Sequence, residues 1–252
     1  MEQNSRRIIR NILATAAALA LWQAAAMLLD QKILLASPIE VAIKLFKLPS
    51  EGGFVSSVLF SLGRILGGFA LGVLLGTLLA ALAARYSLLE TLFKPYMTTV
   101  KSVPVASFVV IALIWLSSSG LSVFISFLMV LPIVYTNILT GLKAADSRLS
   151  EAADVFKMSP LRRLIYIRLP ALKSYVISSC SVSLGLAWKA GTAAEIIGIP
   201  EGSIGERLYQ AKLYLATDEL LAWTVVIVGC SFICEKLTVR LIKLIFREVE
   251  RL

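Results

Sequence analysis

The sequence contains no histidine at all. That absence removes histidine-based general bases, catalytic triads and histidine metal sites from consideration. The sequence also lacks a G-x-x-x-x-G-K-[ST] phosphate-binding loop, so any ATP hydrolysis that serves this chain must come from a partner. The three cysteines, Cys180, Cys230 and Cys234, lie inside apolar runs, which indicates buried free thiols rather than a disulfide framework. We therefore expect a chain that is not an enzyme and that binds neither a nucleotide nor a metal ion itself.

Charged residues are scarce as well. They make up 16% of the chain, whereas 58% is hydrophobic and the mean hydropathy is +0.84. Soluble domains of this length are far less apolar, so the chain is predicted to be an integral membrane protein. The net charge of +9 has the sign that nucleic acid attracts. The basic residues fall in the termini and in loops between apolar runs, however, which argues against nucleic acid and favours a membrane-topology signal.

The apolar runs predict an all-α polytopic membrane protein with about six transmembrane helices, since each span needs about 20 residues. The runs lie at about residues 8–29, 57–84, 102–116, 121–142, 174–199 and 220–242. The first run also resembles a signal peptide with Ala24-x-Ala26 as its cleavage site. Because the apolar residues continue through Leu29, an uncleaved span is favoured.

The distribution of Lys and Arg predicts the orientation. With the N-terminus inside and six spans, 18 of these residues lie on the inner side and 5 on the outer side. This bias places both termini and the polar loop at residues 143–172 in the cytoplasm. We expect residues 1–55 to form the first span and an external loop, with a short amphipathic helix near Pro38–Leu48, and residues 56–252 to form the main transmembrane domain.

A basic stretch at residues 151–170, EAADVFKMSPLRRLIYIRLP, separates the fourth and fifth runs. Its Ala-rich first part predicts one short helix. Ser159 followed by Pro160 suits the N-cap and first position of a second helix, which must end or bend near Pro170. Such a helical pair cannot cross a bilayer. We expect it on the membrane face, where paired alanines near its start would let another protein's backbone approach.

This stretch resembles the EAA loop of ABC importer permeases, in which a Glu-Ala-Ala triplet is followed by a glycine and later by a hydrophobe-proline pair. The matching residues are Glu151, Ala152, Ala153, Leu169 and Pro170. The resemblance implies a coupling helix that docks into a cytoplasmic ATPase subunit, with Phe156 and Lys157 in the contact. Lys157 stands where the family has glycine. Either the left-handed backbone falls on Lys157, which costs about 1 kcal/mol or more, or Met158 or Ser159 carries the turn.

Two further segments resemble the nitrate/sulfonate/taurine branch of these importers. They are SLGRILGGFALGVLLG in the second run, and Gly185-Leu186-Ala187-Trp188 followed by Ala193-Ala194-Glu195 in the fifth. The resemblance implies the type I ABC importer permease (MetI-like) fold in a bacterial plasma (inner) membrane. It also implies a homodimer with a second permease copy, cytoplasmic ABC ATPase subunits that hold ATP and Mg, and an extracytoplasmic solute-binding protein. The solute would be nitrate, a sulfonate, taurine or a vitamin precursor.

Glycines of the second run recur every four residues, at Gly68, Gly72 and Gly76. This spacing places them on one helix face, where small residues allow close helix packing in lipid. Arg64 lies near one end of the run. Its side chain either snorkels or pairs with another group, or it contacts the solute.

Polar and small side chains of the fifth run share one helical face. They are Ser178, Ser181, Gly185, Trp188, Thr192 and Glu195. A polar stripe of this length should face a bundle interior or water, so we predict that it lines the translocation path. We also predict that Lys189 or Glu195 helps to form the outer gate, the alternative being that both charges snorkel or pair with other spans. Close packing suits a neighbouring face of small residues, formed by Ala187, Gly191, Ala194 and Gly198.

Two other functions compete with that of an importer permease. An ATP-independent secondary transporter would be expected to show internal repeats and broken helices in both halves, and the sequence shows no convincing repeat. A non-transporting membrane scaffold would have little use for a polar stripe in the fifth run. An ABC importer permease accounts for both the loop and the stripe.

Overall fold

The computed structural model describes residues 2–29, 31, 33–144, 153 and 155–249 of the chain. Within these residues the regular structure is helical and no strand occurs. The long helices are α1 (Glu2–Leu29), α3 (Phe54–Arg85), α6 (Ser118–Lys143), α8 (Leu169–Gly198) and α10 (Thr217–Val249). The shorter helices are α2 (Pro38–Lys47), α4 (Ser87–Ser102), α5 (Val105–Ala112), α7 (Pro160–Arg163) and α9 (Ile204–Leu213). The predicted all-α class is confirmed.

Four of the described helices are long and apolar enough to cross a membrane: α3, α6, α1 over Ile9–Leu29 and α10 over Thr217–Arg247. The pair α4 and α5, bent by 100° at the break between them, makes a fifth if it is one broken span. α8 has 30 residues and is about 45 Å long, but with five serines and two lysines it is not among these four. The polytopic all-helical fold is confirmed. Four or five spans in the described part of the chain are apolar enough by composition, and α8 is long enough to be a further one.

The third apolar run, at residues 102–116, is not the single helix that its composition predicted. α4 ends at Ser102, Val103 is extended with φ −78° and ψ 132°, and α5 begins after Pro104. Proline disfavours helical backbone in the residue before it and has no N–H with which to continue the hydrogen-bond ladder. Pro104 therefore converts the run into part of a bent helix pair.

Glycines determine how closely the central helices approach. α3 packs along α6, and α6 packs along α8. A Cβ on Gly68 would lie 2.3 Å from the carbonyl oxygen of Val123, and one on Gly72 would lie 2.6 Å from the Cβ of Val130. A Cβ on Gly76 would lie 3.0 Å from the backbone of α6. The glycine repeat thus lies at the contact between α3 and α6, where the first two positions leave no space for a side chain.

The short helix α2 is capped by its own sequence and tied to α10. The Ser37 hydroxyl accepts a hydrogen bond from the Glu40 N–H at 3.3 Å, and the Ser37 N–H donates to the Glu40 carboxylate at 2.9 Å. Lys44 Nζ lies 2.9 Å from Glu51 Oε1 and 3.0 Å from Glu219 Oε2. Burial lowers the pKa of Lys44, but the hydrogen bonds to these two carboxylates outweigh that effect and raise it. The short helix predicted here is confirmed.

Adding one methyl group at the glycine contact should destabilise the fold. We expect Gly68→Ala to lower the free energy of unfolding by about 1–3 kcal/mol, because the new Cβ would have to displace the backbone of α6. Gly67→Ala is the matched control, since a Cβ at Gly67 meets nothing within 4 Å. Thermal unfolding of the detergent-purified protein should show a lower Tm for Gly68→Ala alone. Equal Tm values for the two variants would show that α3 and α6 are not packed this closely.

Candidate functional site

The loop that leads into α8 presents apolar side chains on its surface. Glu151 and Ala152 lie outside the described residues. Ala153 is buried, with 1% of its surface exposed, whereas Val155 and Phe156 are each 79% exposed. Two adjacent apolar side chains at a turn are suited to a contact with another protein.

The backbone of this loop reverses at Lys157. Lys157 has a φ of 49°, in the left-handed region. The Met158 N–H donates to the Ala153 carbonyl at 2.9 Å, which closes the turn in the manner of a helix that ends on a left-handed residue. Of the alternatives that the sequence left open, the left-handed position therefore falls on Lys157 and not on Met158 or Ser159. A residue with a Cβ is strained there by roughly 1 kcal/mol relative to glycine.

The second half of the loop is one helical path into α8. Ser159 caps α7 as predicted, since its Oγ accepts a hydrogen bond from the Arg162 N–H at 3.4 Å, and α7 starts at Pro160. Five residues of π-helix, Leu164–Arg168, then lead into α8. The helix does not end at Pro170, which lies in the first turn of α8, where proline is tolerated. The irregularity is the π segment just before it, and the loop is joined to α8 without a break.

The residues of the predicted polar face of α8 differ in their exposure. Trp188, Thr192 and Glu195 are buried within the chain, at 1%, 6% and 0% exposure. Ser178 and Lys189 are exposed. The outer part of the predicted stripe is therefore packed against other helices of the same chain, and it is not open to a solute in this conformation.

The middle of α8 contains the more accessible positions. The half-buried Ser181 donates its hydroxyl hydrogen to Glu235 Oε1 on α10. A Cβ built on Gly185 would meet nothing within 4 Å, so open space lies beside this residue. The exposed side chains of α8 recur at helical spacing and form one face, which includes Ser178, Val182, Leu186 and Lys189. This face is rotated from the predicted one.

The small-residue face of α8 lies against α6. A Cβ on Gly191 would lie 2.5 Å from Ser126 Oγ, and one on Gly198 would lie 2.7 Å from Leu121 Cδ2. The Ser126 hydroxyl donates to the carbonyl oxygen of Ala187 at 3.1 Å. These contacts hold α6 and α8 at a short distance, as the spacing of small residues predicted.

Glu195 is the most deeply buried charged group of α8. Its Oε2 accepts a hydrogen bond from the Ser61 hydroxyl of α3 at 2.6 Å and another from the Gly205 N–H of α9 at 3.3 Å. The Ser61 oxygen in turn accepts from the Ile204 N–H at 3.0 Å. Glu195 thus does not snorkel to an interface, and its carboxylate joins three helices.

The hydrogen-bond partners of Ser181 and Glu195 were not predicted from the sequence. Ser61, Gly205 and Glu235 have no local signal that relates them to α8. One signal was present, because Ser203 and Glu206 form the S-x-x-E pattern of a helix start. The structure shows that the Ser203 hydroxyl accepts from the Glu206 N–H at 2.9 Å. The start of α9 was predictable from this pattern, although its contact with Glu195 was not.

Comparisons with known proteins agree with this architecture. A family described as "Binding-protein-dependent transport system inner membrane component" matches residues 72–251. One relative is the putative aliphatic sulfonates transport permease protein SsuC of Bacillus subtilis (strain 168). It is 24% identical over 246 residues, which cover 96% of this chain and 86% of the relative. The taurine transport system permease protein TauC of Escherichia coli (strain K12) is 26% identical over 238 residues, covering 92% and 86%. A solved structure described as an amino acid ABC transporter with histidines has a TM-score of 0.59 at 18% identity, covering 78% of this chain and 94% of that chain.

The family model and the two named relatives identify a permease component of an ABC transporter, and the apolar helices packed through small residues agree with that class. The family match covers more than half of the chain, so the chain belongs to the binding-protein-dependent transport system inner membrane components. Such a component is the membrane permease and is not itself catalytic. No finding favours the ATP-independent secondary transporter.

Replacing the strained lysine by glycine should stabilise the turn in the loop. We expect Lys157→Gly to make the turn about 1 kcal/mol more stable, because glycine adopts a positive φ without steric cost. Hydrogen exchange of the Met158 N–H should slow by about fivefold, since 1.4 kcal/mol corresponds to tenfold. Lys157→Ala removes the charge but keeps the Cβ, and it should leave the exchange rate unchanged. Equal slowing in both variants would show that the lysine side chain, and not the backbone strain, sets the stability of the turn.

Proposed function

We propose that this chain is the membrane permease of a bacterial ABC importer for a small solute. Two copies would form a homodimer that encloses the translocation path. Cytoplasmic ABC ATPase subunits would bind ATP and Mg, so that this chain needs no cofactor of its own. An extracytoplasmic solute-binding protein would deliver the solute, in keeping with the binding-protein-dependent family to which the chain belongs.

The observation that carries this proposal is the exposed turn at the base of α8. Val155 and Phe156 offer apolar contact area to a partner, and the same segment continues through α7 and the π segment into α8. Glu151, Ala152 and Ala153 would open the docking segment, and Leu169 and Pro170, in the first turn of α8, would join it to that helix. A movement of the ATPase would be passed directly to α8 as a rigid-body displacement.

The orientation follows from the charge distribution. With six spans, α8 among them, the excess of 18 to 5 Lys and Arg residues would place the docking loop and both termini in the cytoplasm, where an ATPase could reach the loop. α9 and the start of α10 would then lie on the outer side of the membrane. The membrane would be the plasma (inner) membrane of a bacterium. This arrangement puts the two ends of α8 on opposite sides of the membrane.

We assign the translocation path to α8. The exposed Ser178 and Lys189 and the open space beside Gly185 would border the path. Ser181, Trp188, Thr192 and Glu195 would support this surface from the side that packs against neighbouring helices. The two relatives described above are named for aliphatic sulfonates and for taurine. A negatively charged sulfonate group would be attracted by the exposed ammonium of Lys189, which favours a small solute of this kind.

Removing the apolar contact from the docking loop should detach the ATPase. We expect Phe156→Ser to lower co-purification of the ATPase subunit by about tenfold or more, since a buried Phe side chain contributes about 1.5–3 kcal/mol to an interface. The matched control is Leu88→Ser, which removes a similarly exposed apolar side chain, 78% exposed, on α4. Unchanged co-purification of the Phe156→Ser variant would contradict the docking role. Failure of the unsubstituted chain to retain any ATPase would contradict the proposed function itself.

A further inference from the structure

We propose that Glu195 is a positioning residue that fastens the short helix α9 to α8, so that α9 moves with α8 and acts as part of the outer gate. The proposal rests on the assignment of α8 to the translocation path and goes beyond it. It assigns a role to a helix that is not one of the apolar spans.

The start of α9 is held by side chains from other helices. A helix leaves its first N–H groups without partners inside the helix, and a residue just before it commonly caps them. Here the cap residue Ser203 accepts from the Glu206 N–H at 2.9 Å. The Ile204 N–H donates to Ser61 of α3 at 3.0 Å, and the Gly205 N–H donates to Glu195 of α8 at 3.3 Å. Two of the first donors of α9 are therefore satisfied across helix boundaries.

Steric contact also fixes the start of α9 against α8. A Cβ on Gly205 would lie 2.2 Å from the Cβ of Glu195 and 2.5 Å from its carbonyl carbon, so the two backbones touch. Ser61, Glu195, Ser203 and Ile204 are all 0% exposed. Sliding α9 along α8 would leave buried hydrogen-bonding groups without partners. An unpaired polar group has a high free energy in a low-dielectric interior, so such a displacement is unfavourable.

α9 has two further kinds of contact. The Arg207 side chain donates from Nε to the Ser57 hydroxyl of α3 and from a terminal nitrogen to the Gly52 carbonyl, both at 3.4 Å. Ile204 and Leu208 share an apolar cluster with Trp223 of α10 and Val41 of α2. Apolar contact is non-directional, so this cluster can repack while its area stays buried. At the far end of α9 the exposure is greater, since Leu213 is 64% exposed and Tyr214, which follows the helix, is 78% exposed. α9 is thus anchored by directional bonds in its first turn, to α3 through Ser61 and to α8 through Glu195, and its backbone contact at Gly205 is with α8.

The anchor lies at the far end of a helix that begins at the docking loop. α8 runs without interruption from Leu169 to Gly198, about 45 Å. Glu195 is in its last turn. A displacement received at the loop would therefore reach α9 through the Glu195 carboxylate, and the short helix would open or cover the outer end of the path.

The test follows the exposure of α9 in the complete transporter. A cysteine replaces the exposed Lys212 in a chain whose native Cys180, Cys230 and Cys234 are changed to alanine. The permease with its ATPase subunits is reconstituted in proteoliposomes, and labelling by a water-soluble maleimide is followed with and without ATP and orthovanadate. When Glu195 is present, we expect the labelling rates with and without ATP and orthovanadate to differ roughly threefold or more. In Glu195→Ala, the ratio of these two rates should fall to about one.

Two further variants separate positioning from simple loss of stability. Glu206→Ala removes the other carboxylate at the start of α9, which accepts from the Gly202 N–H at 2.6 Å but belongs to α9 itself. It should retain the ATP-dependent ratio. Glu195→Gln keeps an oxygen that can accept from Ser61 and Gly205, and it should restore most of the ratio. It also serves as the comparison if Glu195→Ala does not insert in the membrane.

The outcomes distinguish this inference from the proposed function. The inference about α9 would be overturned if ATP and orthovanadate did not change the labelling rate in the chain that retains Glu195. It would also be overturned if the ratio of labelling rates survived in Glu195→Ala as well as in Glu195→Gln, or if Glu206→Ala lost the ratio to the same extent. In each of these cases an assembled, ATP-hydrolysing complex would leave the permease assignment intact. Absence of that complex would instead contradict the permease assignment.

Discussion

Direct contact between helix backbones at glycine is the constraint on which the rest of the structure depends. Lipid tails are as apolar as leucine, so helices in a bilayer gain little from burying apolar side chains and depend on close packing instead. Gly68 and Gly72 bring α3 onto α6, and Gly191 and Gly198 bring α8 onto the same helix. Because no side chain fits at these points, α6 is held between its two neighbours in one register.

That register decides what the polar groups of α8 can do. Ser126 of α6 reaches the carbonyl oxygen of Ala187, and Ser61 of α3 reaches Glu195. Gly185 and Lys189 remain on the side that no helix among the described residues covers closely. One helix thus has a packed side and an open side, and in the proposed mechanism the packed side would transmit displacement while the open side would meet a solute or a second copy. The loop around Phe156 continues directly into this helix, so in the proposed mechanism a movement of the ATPase would reach the membrane-embedded part of α8.

Much of the fold could be predicted because apolar runs and cap residues are local signals. The run at residues 57–84 became α3, Phe54–Arg85, and Ser159 caps α7 as its sequence indicates. The break at Pro104 was not predicted, because the apolar composition of the residues after it outweighed its effect on Val103. The face that α8 presents could not be derived from spacing alone, since burial depends on which neighbours cover it. The contact of Ser61 with Glu195 joins residues 134 positions apart, and no local pattern records such a pair.

The central claim, that α8 borders a path whose accessibility follows the ATPase cycle, is tested most directly at Gly185. A cysteine there has open space around it, whereas one at Ala187, which is 0% exposed, faces α6 and serves as the reference. In the reconstituted complex, the account predicts that a small water-soluble thiol reagent labels Gly185→Cys at a rate that changes with ATP and orthovanadate, and that Ala187→Cys stays unlabelled. Equal labelling of Gly185→Cys in both conditions, or none in either, would contradict it.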